Sequence, residues 1–412
     1  MTNITVQKFG GSSVANAERI ANVARRIADT YENGGGVVVV LSAQGNTTDQ
    51  LLKKAREVNP NASRREVDML LCTGEQQSVA LMAMALEGLG CRAVSLNAAQ
   101  VGIHATDNHG NAHIESIDTE RILHELGHGN IVLVAGFQGI NTANDLTTLG
   151  RGASDTTAVA LAAVLNAQVC EIYSDVDGIY TVDPRIVPTA RKLEVVGYDD
   201  MLELAFAGVQ MLHGRAVEMA KRYGVQIIVR SSFAEGIGTW IKEDKNVEEL
   251  TVSGIAIDRN VARISLIGMP DQPGVAFQIF SILAKDNISV DIILRTVGTA
   301  ANKKSCDISF TVHREDMATA RILLESHASE IGFLAIETDE NLAKLSVVGA
   351  GMATNSGVAA AMFEALYESE INIHMISTSE IKVAVLVDER MVSQAAKAVH
   401  EKFDCIFPLA EN

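Results

Sequence analysis

ITVQKFGGSSVANAERIANVARRIADTYENGGGVVVVL, residues 4–41, sets out a strand, a glycine loop, a helix and a second strand in immediate succession. Ile4–Phe9 is predicted as a strand and Gly10-Gly11-Ser12-Ser13 as a loop. Between Val14 and Asn33, the residues Ile20, Val23, Ala24, Ile27, Ala28 and Tyr31 recur at the three-and-four spacing of one helix face. Gly34-Gly35-Gly36 stops that helix, and Val37–Leu41 is a continuous apolar run, typical of a strand buried on both faces. The alternation continues with Val67–Leu89 (helix), Ala93–Leu96 and Ile131–Ala135 (strands), and Thr156–Leu165 (helix). Val169–Tyr173 (strand), Val217–Tyr223 (helix) and Val225–Val229 (strand) follow. Such alternation predicts an α/β architecture, a mainly parallel open sheet sandwiched by helices.

A chain of 412 residues has room for two to four domains. Its 47% hydrophobic and 21% charged residues are globular composition, and only 4% are aromatic, so the cores must be aliphatic. Net charge is 34 − 51 = −17, which argues against a broad nucleic-acid or anionic-membrane surface but leaves room for an anionic substrate held by local cations. No apolar run reaches the ~18–20 residues of a membrane span, and residues 1–10 carry no leader pattern. Cys72, Cys91, Cys170, Cys306 and Cys405 lie far apart without a CxxC pair. A soluble protein of the reducing cytoplasm, without structural zinc, is expected.

Around Lys242–Glu249 the pattern gives way to a charged stretch that reads as a linker, and an internal repeat follows. ARISLIG (262–268) matches AKLSVVG (343–349) at an offset of 81. Gly274-Val275-Ala276 matches Gly357-Val358-Ala359, and Ile288-Ser289-Val290 matches Ile371-Asn372-Ile373, both at an offset of 83. Each copy reads strand, helix, strand, strand, helix, the βαββαβ core of a ferredoxin-like unit.

Three glycine-containing loops follow predicted strands, at the edge where open α/β sheets bind ligands. In the first, Gly10 and Gly11 let backbone N–H groups approach a phosphate while Lys8 adds a point charge; the same residues also suit an ordinary strand–helix turn. The second is SAQGNTTD (42–49). The third, GRGASDTT (150–157), carries Arg151, which can fork a carboxylate. Its Asp155 can either orient Lys8 or cap the next helix. No GxxxxGK[ST], GxGxxG or GxSxG motif occurs. His104, His109 and His113 lack metal-ligand spacing and are expected to be solvated loop residues.

Taken in order, KFGGSSV (8–14), SAQGNTTD (42–49), TGEQ (73–76), AGFQG (135–139), TTLGRGASDTTAVALA (147–162) and YSDVDGIYTVDPR (173–185) resemble aspartate kinase of the amino-acid kinase superfamily. The resemblance runs over essentially the whole chain, because that family carries a C-terminal pair of ACT domains where the repeat lies. It implies a kinase domain at 1–245, a first ACT domain at 262–340, and a second made of 250–261 with 341–412. It also implies ATP and Mg2+ as cofactors and transfer of the γ-phosphoryl group to the β-carboxylate of L-aspartate.

By the same resemblance, Lys8, Gly10, Gly11 and Ser12 match the phosphate cradle, and Lys8 with Asp155 the catalytic pair. Thr47, Glu75, Phe137, Arg151 and Ser154 match aspartate-holding positions, with Glu75 for the ammonium and Arg151 for the α-carboxylate. Ser174, Asp175, Tyr180, Asp183, Pro184 and Arg185 match the nucleotide stretch. Met269, Asp271, Gly274, Val275, Asp291, Arg295 and Thr296 of the first ACT unit match the family's effector region, for lysine or threonine. Asn372, Ile373, Ser379 and Glu380 of the second match its facing part. No protein ligand for magnesium is assigned, and a homo-oligomer paired through the ACT units is expected; a purely structural dimerisation role for them is the alternative.

Some positions depart from the family pattern. Gln210 stands where a lysine is usual, and losing one electrostatic donor typically costs about 10²–10³ in rate. Ala153 replaces a glycine, Gln44 a methionine, and Arg295-Thr296 a Gln-Asn pair beside the effector. A working kinase with weakened or redirected control is therefore expected. The alternatives are a catalytically weak amino-acid sensor and a kinase for a related carboxylate.

Overall fold

A computed structural model describes residues 3–150, 152–209, 211–243, 251–300, 303–350, 352 and 357–403. Its centre is an eight-stranded sheet in the order Val195–Gly197, Thr239–Lys242, Ile227–Ser231, Val169–Ser174, Ile4–Phe9, Gly36–Leu41, Ile131–Ala135, Ala93–Leu96. All neighbours pair in parallel except Thr239–Lys242 against Ile227–Ser231. Lys242, expected in the linker, closes that antiparallel strand and Glu243 follows it outside any strand; residues 244–249 of the expected linker lie outside the described residues.

The apolar run at 37–41 is buried along its whole length, and its alternation divides it between two cores. Val37, Val39 and Leu41 pack with Ile20, Val23 and Ile27 of the helix Ala17–Glu32 and with Val79, Met82 and Leu86 of the helix Arg64–Gly88. Val38 and Val40 face the opposite layer, where Ala158, Leu161 and Ala162 of the helix Ala153–Val164 meet Ala216, Val217 and Ala220 of the helix Gly214–Tyr223. Each fully buried aliphatic side chain contributes about 1.5–3 kcal/mol, so a truncation such as Met82→Ala, at a position with no solvent exposure, costs about 2–5 kcal/mol.

Helix starts differ from the sequence reading for local reasons. The first begins at Ala17 rather than Val14, because Asn16 caps it by accepting from the Arg19 N–H at 3.0 Å, after a 3₁₀ turn at Gly11–Val14. The helix expected from Thr156 starts at Ala153, launched by Gly152 at φ +72°. Each shift moves glycine-loop residues into a helical turn.

Ala262–Pro270 and Leu342–Ala350 open two ferredoxin-like units. The first has the sheet order Val290–Ala300, Lys303–Val312, Ala262–Pro270, Ala335–Asp339, with helices Val275–Lys285 and Met317–Ser326 on one side. The second has the order Thr251–Asp258, Leu342–Ala350, Lys382–Asp388, Met375–Thr378. Its outer strand comes from before the first unit and pairs antiparallel with Leu342–Ala350. Between the units, the buried Lys344 lies 2.5 Å from Asp291 and 3.7 Å from Asp258.

Candidate active site

Strand order reverses around Ile4–Phe9, and a crevice opens at the carboxyl ends of that strand and its neighbours. All three glycine loops meet there. Lys8 and Gly11 from the first, Ser42, Ala43 and Gly45 from the second, and Gly150, Gly152 and Ser154 from the third line one cleft of about 480 Å³. Close backbone approach explains the glycines. A Cβ on Gly11 would sit 2.5 Å from the Ala43 carbonyl, while the Gly45 N–H donates to the Gly11 carbonyl at 2.9 Å.

Lys8, at the end of its strand, holds its Nζ 2.6 Å from Asp155 Oδ1. Both side chains are about nine-tenths buried. The His213 N–H reaches the other Asp155 oxygen at 3.3 Å, so the carboxylate is anchored from a third segment. Asp155 stands in the first turn of a helix that has no side-chain cap, where the helix offers its positive end to the cleft. A cation and a helix N-terminus thus share one wall with Gly11.

The opposite wall is the helix Arg64–Gly88. Gly74 lets the second loop press close, since a Cβ there would be 2.9 Å from that of Ala43. Glu75 follows and accepts from the Ala43 N–H at 3.1 Å through Oε1, while buried Oε2 has no partner. Burial pushes this carboxyl up to about 7. An unpaired, buried carboxylate oxygen facing a cleft is suited to a cationic group.

Asp68, two turns before Glu75 and on the same face, was not singled out by sequence reasoning. It accepts from His109 Nδ1 at 3.0 Å, from the Gly110 N–H at 2.9 Å, and from the Thr148 N–H and hydroxyl at 3.1 and 2.7 Å. His109, expected to be solvated, is therefore a tether for the loop that rims the cleft. The seven-residue spacing of Asp68 and Glu75 on one helix was the available signal. Arg64 also lines the cleft and adds a cation at its mouth. Arg215 braces the third loop by donating to the Leu149 carbonyl at 2.7 Å and the Ala112 carbonyl at 3.1 Å.

Phe137 lines the cleft from a left-handed backbone (φ 68°) that costs a non-glycine residue about 1–3 kcal/mol. Thr47 does not line it: its hydroxyl donates to the Gln44 carbonyl at 2.6 Å, and the neighbours Thr48 and Asp49 line it instead. Arg151 and Gln210 lie outside the described residues. Gly10 and Ser12 sit beside the cleft rather than on its lining, with the Gly10 N–H donating to the Tyr173 carbonyl at 3.2 Å.

Ser174, Asp175, Tyr180, Asp183, Pro184 and Arg185 form a separate excursion from the adjacent strand Val169–Ser174. It is tied to the first loop through the Ser13 hydroxyl, which donates to Ser232, which in turn donates to the Ser174 carbonyl, each at 2.8 Å. Within it Tyr180 donates to Asp177 at 2.9 Å, and Arg185 lies on Asp183 at 2.7 Å.

A second cavity, of about 340 Å³, lies in the first ferredoxin-like unit and is lined by Asp271, Gly274, Val275, Arg295, Cys306 and Ile308, among others. The Arg295 guanidinium donates to Asp271 inside it. Three other residues expected here are elsewhere. Met269 is core, Asp291 is paired with Lys344 across the units, and Thr296 is not on the lining. Asn372, Ile373, Ser379 and Glu380 of the second unit do not line it either. Among the described residues no group of three or more His, Cys, Asp or Glu is placed to hold a metal, and no helix is long and apolar enough to cross a membrane.

Residues 3–231 match the model of the amino acid kinase family, and 264–327 with 345–403 match that of an ACT domain. The chain is 48% identical over 404 residues to the aspartokinase of Mycolicibacterium smegmatis, covering 97% of this chain and 96% of that one. Among solved structures, it is similar to E. coli aspartokinase III in complex with aspartate and ADP (TM-score 0.80, 26% identity, 98% and 100% coverage). It is also similar to that enzyme in complex with lysine and aspartate (TM-score 0.72, 26% identity, the same coverage).

Proposed function

Because the chain belongs to the aspartokinase family and is an ATP-dependent kinase, we propose that it transfers the γ-phosphoryl group of MgATP to the β-carboxylate of L-aspartate, in the cytoplasm, giving 4-phospho-L-aspartate. The observation that carries the reading is the cleft itself, with the Lys8–Asp155 pair on one wall and the unpaired buried oxygen of Glu75 on the other.

The acceptor carboxylate is already an anion at neutral pH, so no general base is needed. Its oxygen attacks the γ-phosphorus, the bond to the bridging oxygen breaks, and ADP leaves with that electron pair. The barrier is the repulsion of two anions and their alignment. Lys8 and the N-terminus of the helix Ala153–Val164 supply positive charge where it is needed, and Asp155 orients Lys8. Glu75 takes the α-ammonium and Arg151 the α-carboxylate, while Ser154 and Phe137 border the amino acid. Gly11 borders the phosphates with Gly10 and Ser12 behind it, and the segment Ser174–Arg185 holds the nucleotide. Magnesium would arrive with the nucleotide and would supply charge neutralisation on its phosphates.

The 1–245 segment is the kinase domain in this reading; 262–340 forms one ACT domain, and 250–261 with 341–412 the other. The ACT units regulate and pair with those of a second copy; Ile293, Leu294 and Val297, exposed on the edge strand Val290–Ala300, support the pairing. Control is redirected away from lysine. In the effector cavity Arg295 already occupies Asp271, the carboxylate a lysine side chain would seek.

An acceptor series tests the function. L-aspartate should support ADP release. Succinate, which lacks the ammonium, should be poor by at least tenfold in kcat/KM, at about 1.4 kcal/mol per tenfold. Equal rates with both acceptors would remove Glu75 from the site.

A further inference from the structure

The segment Ser174–Arg185 leaves the central sheet as a loop, yet its far end is not solvated. Thr181 is fully buried, and all its polar groups are engaged. Its N–H donates to the Arg191 carbonyl at 2.9 Å, and its hydroxyl oxygen accepts from the Arg191 N–H at 3.0 Å. Its other two contacts leave the kinase domain altogether. The Thr181 carbonyl accepts from the Ile255 N–H at 2.6 Å, and its hydroxyl lies 3.0 Å from His400 Nε2. Ile255 belongs to the strand Thr251–Asp258 and His400 to the helix Val392–Phe403, both parts of the second ACT unit.

The packing around this point agrees. Val182 and Val187 bury into the same cluster as Val252, Ile255, Val399 and Phe403. A Cβ on Gly254 would stand 3.3 Å from the Thr181 carbonyl, so the glycine permits the close approach of strand and loop. Apolar contact alone is non-directional and allows the loop to slide. The two hydrogen bonds add direction, fixing Thr181 one residue from Tyr180. His400, 1% exposed, places a polar ring in a core where an aliphatic side chain would avoid desolvation.

We propose that His400 is a positioning residue of the nucleotide site, holding Thr181, and through it the segment Ser174–Arg185, in the geometry that binds ATP. The inference rests on the reading above that this segment holds the nucleotide. The second ACT unit is then a wall of the nucleotide site as well as a regulatory module, and shifts of its last helix reach ATP without passing through the aspartate cleft.

Steady-state kinetics on the full chain test this. His400→Phe keeps the ring and loses the hydrogen bond; the KM for ATP should rise about three- to tenfold, the value of one ordinary hydrogen bond. The KM for aspartate and kcat should stay within about twofold. His400→Gln, which can return a polar atom near the Nε2 position, should recover most of the loss. Thr181→Val should raise the KM for ATP in the same direction, and it serves if His400→Phe fails to fold. A folded His400→Phe with unchanged KM for ATP, or one that changes kcat and both KM values alike, overturns the proposal. Asp175→Ala and Tyr180→Ala separate the two ways of failing. If they raise the KM for ATP while His400→Phe does not, only the clamp is wrong. If none of the three does, the nucleotide reading falls and the clamp with it.

Discussion

Glu75→Gln separates what the site requires from what the fold prefers. The carboxyl is pushed up to about 7 from a reference of 4.5, with burial as the main cause. A carboxyl raised in the folded state holds its proton there while the unfolded chain has already lost it. Its ionisation therefore subtracts stability as pH rises from 4.5 through about 7. At about 1.4 kcal/mol per pKa unit, the difference amounts to about 3 kcal/mol at pH 8 and vanishes below pH 4.5. The amide introduced by Glu75→Gln would keep the acceptor for the Ala43 N–H but carry no charge, so the variant should escape this loss. Its unpaired NH₂ adds a pH-independent cost, which makes the difference in pH slope the quantity to measure. Denaturant melts of both proteins from pH 5 to 8 should show the variant gaining on the parent by about 2–3 kcal/mol, the first part of the difference having already developed below pH 5. The same variant should raise the KM for aspartate about 10- to 100-fold, the range for a lost hydrogen bond to a charged group. Parallel stability profiles would refute the buried, ammonium-seeking role of Glu75, even if activity fell.

Lys8→Met should lower kcat about 10²–10³-fold, as expected for one lost electrostatic donor, in a coupled ADP-release assay; a change confined to KM would instead mark Lys8 as a binding residue. Gly11→Ala drives a Cβ to within 2.5 Å of the Ala43 carbonyl. It should cost about 1–3 kcal/mol in a thermal melt and raise the KM for ATP, because the first and second loops must separate. Arg295→Gln releases Asp271 in the first ACT unit. Inhibition by millimolar lysine should appear or strengthen in the variant, and equal inhibition before and after would show that the guanidinium does not block the pocket.

What the sequence made legible was whatever local spacing encodes. The alternating strands and helices, the repeat and the three glycine loops were all readable, and the loops do converge on one cleft; Glu75 came only from the family resemblance. The helix Thr47–Val58 was not read, because its first turn falls within the stretch 42–49 taken as the second glycine loop and it buries no residue completely. Asp68 stands seven residues before Glu75 on one helix, but its partners Gly110 and Thr148 lie 42 and 80 residues away and give that spacing its meaning only in the tertiary fold. Arg64 and Arg215 are ordinary helix cations until the loops fold against them. Asp291, expected at the effector site, pairs with the buried Lys344 across the two units, a contact that sequence distance hides. The Thr181–His400 contact spans 219 residues and is written only in the tertiary fold.

The central claim is regiochemical, and trapping the product tests it most directly. Incubating the protein with MgATP and L-aspartate and reducing the acyl phosphate with borohydride converts the phosphorylated carboxyl to an alcohol. Homoserine, in an amount matching the ADP released, is the predicted product. Recovery of 3-amino-4-hydroxybutanoate would place the phosphoryl group on the α-carboxylate, and ADP release with neither alcohol would mean that aspartate is not the acceptor.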